Sequence, residues 1–157
     1  MSGSLEVSFN SPQCGWMSIG FEGGGQEFHT TTAHAPHEFA LPELLEILTR
    51  LLDNSSGEAE HLLKWNRDPE AYSFRFLAAD ANVMLEIYEY PNDAREPELG
   101  ELVFVYSGDK REFCRAFAAT FEQLYADRET DEFEFNWRQP FPLREFEQFK
   151  IELDRQL

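Results

Sequence analysis

Hydrophobic and polar positions along this chain fall into two periods. Leu5, Val7 and Phe9 alternate with Glu6, Ser8 and Asn10, the two-residue period of a half-buried strand. Cys14 to Phe21 reads as a second strand, and Gln26 to Thr32 as a third. Between them, Gly23-Gly24-Gly25 supplies the positive φ angles of a tight reversal. From Pro42 to about Asp53 the period lengthens. Leu44, Leu45, Ile47, Leu48, Leu51 and Leu52 make one wide helical face, with Pro42 in the first helical position and Asn54-Ser55-Ser56-Gly57 after the end.

The short period then returns. Glu60 to Asn66 predicts a strand. Tyr72, Phe74 and Phe76 predict the next, and Val83, Leu85 and Ile87 another, joined as a hairpin through Asp80-Ala81-Asn82. Glu101 to Tyr106 follows, then a two-residue break and the most regular helix, with Phe113, Ala116, Phe117, Thr120, Phe121 and Leu124 on one stripe. Asp109 with Glu112 three residues on has the form of a capping box. Phe133, Phe135 and Trp137 alternate as a short edge strand, and Pro140-Phe141-Pro142 opens a last helix carrying Leu143, Phe146, Phe149 and Leu153. Strands joined by short turns pair antiparallel, because a parallel pair needs a long crossover. The expectation is an α+β fold: one domain over residues 1–157, an antiparallel β-sheet of about six to seven strands, and about three helices on one face.

Composition changes the picture through charge. Thirty acids against thirteen bases leave a formal net charge of −17. A surface of that sign repels phosphate backbones, so nucleic acid is not an expected partner, whereas a basic protein is. Met1 to Phe9 has no basic or apolar leader pattern, and no apolar run approaches the ~20 residues a spanning helix needs. No membrane association is expected, and the cytoplasm, with reduced thiols, is the expected compartment.

Candidate chemistry is sparse. Three of the four histidines, His29, His34 and His37, fall close together and form the candidate set for a metal ion. Their spacing matches no defined site. Cys14 and Cys114 have no CxxC partner. Cys114 lies near a helix start with Lys110 and Arg111, but close to the apolar stripe, which makes it a packed thiol. The triple glycine lacks the spacing of a phosphate-binding loop, and no GxSxG or SxxK motif occurs. No catalytic residue and no cofactor are therefore expected. The segment after the regular helix has more to offer. Asp127, Glu129, Asp131, Glu132 and Glu134 precede and interleave with Phe133, Phe135 and Trp137. Acids around aromatic anchors suit docking on a basic protein. The competing reading is a solvated loop leading into an edge strand whose aromatics face the core.

Size, acidity, the hairpin–helix–meander–helix order and the Trp137…Phe141-Pro142-Leu143 ending resemble small acidic bacterial proteins of unknown function, including immunity proteins of toxin systems. The resemblance implies a protein that binds and blocks a cognate toxin without catalytic residues, and it carries over no site residue. Three readings follow. The first is a non-enzymatic interaction domain for a basic partner. The second is a small-molecule-binding or metal-dependent hydrolytic domain using His29, His34 and His37. The third is a self-associating domain, with a homodimer as its simplest form.

Overall fold

The computed structural model describes residues 5–9, 16–33, 40–53, 58–66, 70–92, 94–127 and 141–155. Within them the order is β1 (Glu6–Phe9), β2 (Trp16–Gly23), β3 (Gln26–Ala33), α1 (Ala40–Asp53), β4 (Glu58–Asn66), β5 (Ala71–Ala79), β6 (Asn82–Tyr90), β7 (Glu101–Asp109), α2 (Lys110–Asp127) and α3 (Leu143–Arg155). This is the α+β fold expected from the periods, with all ladders antiparallel. The seven strands divide between two sheets, β1-β2-β3 and β4-β5-β6-β7. A single-sheet picture misses that division because α1 interrupts the chain between β3 and β4, and periodicity carries no information on pairing across such a break.

Several boundaries move. Pro42 is the third residue of α1, not the first; its missing N–H still falls among the orphan donors of the first turn. There is no break after Tyr106. Ser107 and Gly108 continue β7, opposite Met84 and Val83, and α2 begins at the next residue after Asp109. The join is held at three points. Arg111 and Glu112 donate their N–H groups to Asp109 Oδ1 at 2.9 and 3.1 Å, and the Lys110 N–H donates to the Ala81 carbonyl at 2.8 Å. Asp109 is thus the N-cap, as its position suggests. The turn that receives Lys110 is Asp80-Ala81, where Asp80 takes φ of 53°, a left-handed value that Asp tolerates.

The two sheets meet through aromatic rings. Phe21 of β2 lies against Phe74 at 5.7 Å, Phe104 at 5.9 Å and Phe117 at 5.7 Å, so one ring touches β5, β7 and α2. Phe28 of β3 meets Tyr72 edge-on at 5.3 Å. At the start of β3, Gln26 Oε1 accepts the Val105 N–H at 2.9 Å and so caps an edge amide of β7. Helix α2 adds Phe113, Phe117 and Phe121, all buried, which is the stripe legible in the sequence. Helix α1 contributes Leu41, Leu44, Leu45, Leu48 and Leu51, and packs against α3, whose Phe146, Phe149 and Leu153 face inward. One cluster of buried residues draws on both sheets and on each of the three described helices.

Candidate functional site

The register of the smaller sheet decides what it shows to solvent. Val7, Phe21 and Phe28 stand abreast on the core side. The next row is therefore turned outward, and it consists of Glu6, Glu22 and Glu27, each directly opposite the next and all exposed. Cross-strand neighbours have Cβ atoms ~5 Å apart, and like charges at that spacing destabilise the pairing. Among the described residues no Lys or Arg lies within ion-pair distance of the three. The nearby cationic candidate is His29, whose Nε2 stands 3.8 Å from Glu27 Oε1.

The row beyond is Ser8, Gly20 and His29. The imidazole lies over Gly20: a Cβ there would stand 2.7 Å from His29 Nδ1 and 3.1 Å from Ser8 Oγ. Ser8, Gly20 and His29, with Glu6 and Glu22, line a shallow hollow of about 390 Å³ that Ala116 and Ala119 of α2 close on one side. The sheet therefore presents an acidic row beside a small histidine-bearing hollow.

The outer face of the larger sheet is different. Arg75 lies between two carboxylates, its Nε donating to Glu60 and its Nη1 to Glu86 Oε1 at 3.1 Å. Tyr88 Oη reaches the same Glu86 oxygen at 3.4 Å. The hydrogen bond to Glu60 leads in raising the guanidinium's pKa above its ordinary value. Around this network Leu62, Met84 and Leu102 are exposed. A hollow of about 520 Å³ opens at the Ala79–Asn82 end, lined by Ala59, Leu77, Val83 and Met84 with Glu60 and Arg75 at its rim. Arg75 is occupied by two carboxylates, so the hollow offers chiefly apolar contact.

Of the residues singled out in the sequence, His29 is on the exposed side of β3. His34 and His37 lie outside the described residues, as does Cys14. Among the described residues no group of three His, Cys, Asp or Glu side chains is placed to hold a metal ion. Asp127 is the last residue of α2, and its side chain lies outside the described residues together with Glu129, Asp131, Glu132, Glu134, Trp137 and the expected strand at Phe133–Trp137. Cys114 is fully buried. Burial pushes its thiol up to about 12, and its Sγ lies 4.0 Å from the Leu48 carbonyl. A neutral, enclosed thiol is not a nucleophile.

The row of glutamates is not visible in the sequence, because Glu6, Glu22 and Glu27 stand apart from one another along the chain. Only the register brings them abreast. The signal was available in the core partners: once Val7, Phe21 and Phe28 are aligned, their acidic neighbours must align too. None of the described helices is long and apolar enough to cross a membrane. No protein-family model, no curated protein and no solved structure matches this chain.

Proposed function

We propose that this protein is a non-enzymatic interaction domain that binds a basic protein through the outer face of its smaller sheet. Its most concrete form is an immunity or inhibitor protein that covers a toxin. The observation that carries the reading is the row Glu6–Glu22–Glu27, three like charges set opposite one another without a described Lys or Arg in reach. An arrangement that weakens the sheet's own pairing is accounted for when a cationic surface completes it. The net charge of −17 acts in the same direction, by speeding encounter with a basic partner. The acidic, aromatic segment Asp127–Trp137 is a second contact of the same chemistry.

The test compares wild type with Glu6→Gln/Glu22→Gln/Glu27→Gln as bait in extracts of the source cell. A basic protein retained by wild type, released by salt and lost with the triple variant supports the reading. Equal retention by both baits would remove this face from the interaction.

A further inference from the structure

Among the described residues the larger sheet ends at β4, and no described strand bonds to its outer edge. The opposite edge is treated differently, since Gln26 caps the Val105 amide of β7. An uncapped edge is a template for another strand. Among the described side chains of β4, Glu60, Leu62 and Lys64 share the outer face of the sheet with Arg75. Leu62, at the middle of this nine-residue strand, is 58% exposed. Lys64 is exposed, and among the described residues no carboxylate lies within ion-pair reach of it, in a chain where acids outnumber bases by thirty to thirteen.

We propose that β4 pairs with β4 of a second copy of this chain, antiparallel, about a twofold axis at Leu62. Symmetry limits the registers sharply. A twofold perpendicular to the sheet keeps each outer face on the same side, so residues opposite one another must share a face and their numbers must sum to an even value. Centring on His61 sets Glu60 against Leu62 of the second copy. Centring on Leu63 sets Leu62 against Lys64. Centring on Leu62 alone sets leucine on leucine, with Glu60 of each chain opposite Lys64 of the other on both sides. A carboxylate accepts several donors, so Glu60 keeps Arg75 while it receives the second copy's Lys64. The result is an eight-stranded sheet with an apolar contact at its centre and two symmetric ion pairs flanking it.

This proposal is independent of the basic-partner reading, and salt separates them. Two chains of charge −17 repel, so screening strengthens the homodimer, whereas it weakens attraction to a basic partner. Sedimentation equilibrium over a range of concentrations is expected to show a dimer that tightens as salt rises. Lys64→Glu places four acids around the axis and is expected to weaken the dimer about tenfold, whereas Lys64→Arg retains it. In a Cys14→Ser background, Leu62→Cys is expected to cross-link to its own copy under mild oxidation, because Cα atoms across an antiparallel pair stand ~4.5–5.5 Å apart, within disulfide reach. Met84→Cys, two strands away, is expected not to. A monomer at every concentration would overturn the proposal and make Lys64 a guard against edge pairing. A dimer indifferent to Lys64→Glu and without the Leu62→Cys cross-link would also overturn it.

Discussion

At the scale of single residues, the helix cap, the buried thiol and one histidine give direct tests. Asp109 accepts two amide hydrogen bonds at the start of α2, so Asp109→Ala is expected to cost about 1 kcal/mol, read by urea denaturation. Cys114 is expected to resist iodoacetamide in the native protein at pH ~8 and to react once urea unfolds it. His61 has its pKa lowered, first by burial and then by Arg50. A base whose folded pKa is depressed favours the fold above its unfolded pKa of about 6.5 and loses that contribution as pH falls through the folded value. The stability difference between wild type and His61→Gln is therefore expected to shrink between pH ~7 and ~5, measured by thermal melts in parallel. Asp109 and Cys114 were legible in the sequence because capping and helical stripes are local patterns. The environment of His61 was not, since Arg50 reaches it from another element.

Among the elements, the least expected feature is how the two sheets are held together. Tyr106 sits where they meet. A Cβ on Gly23 would stand 3.0 Å from its ring, and one on Gly108 would stand 2.4 Å from its hydroxyl. Its ring also stacks on Phe113 at 6.1 Å. Burial leads, and Glu112 and Asp109 add, in raising the phenol's pKa. Gly108→Ala is accordingly expected to displace Tyr106 and lower stability by about 1–3 kcal/mol. Phe21→Ala, which empties the contact among β5, β7 and α2, is expected to cost about 3–5 kcal/mol. Strand and helix types were readable from period alone. In the sequence Gly108 reads as a break, because without Tyr106 beside it a glycine after a strand looks like a turn. Its actual reason is a ring that no β-carbon could stand beside.

For the whole molecule, charge and register together shape the functional reading. The excess of acids is visible in composition, but which of the acids stand side by side is decided by the folded sheet. Glu6, Glu22 and Glu27 come from three strands and line up only after the chain has reversed twice. The sequence pointed instead to Asp127–Trp137, where acids are neighbours along the chain. Because Glu22 is flanked on both sides by like charge, Glu22→Gln is expected to raise the melting temperature slightly, by about 2 °C, with the gain shrinking as salt rises. Loss of binding with a gain in stability is what separates a surface kept for a partner from one kept for the fold. The most direct measurement is capture by wild type and by Glu6→Gln/Glu22→Gln/Glu27→Gln at about 0.1 M and 1 M salt, where the screening length falls from ~10 Å to ~3 Å. The expected result is one basic protein held in stoichiometric amount by wild type at the lower salt, released at the higher, and absent from the triple variant. Identical captures by the two baits, or a partner that ignores salt, would contradict the acidic row as the binding surface.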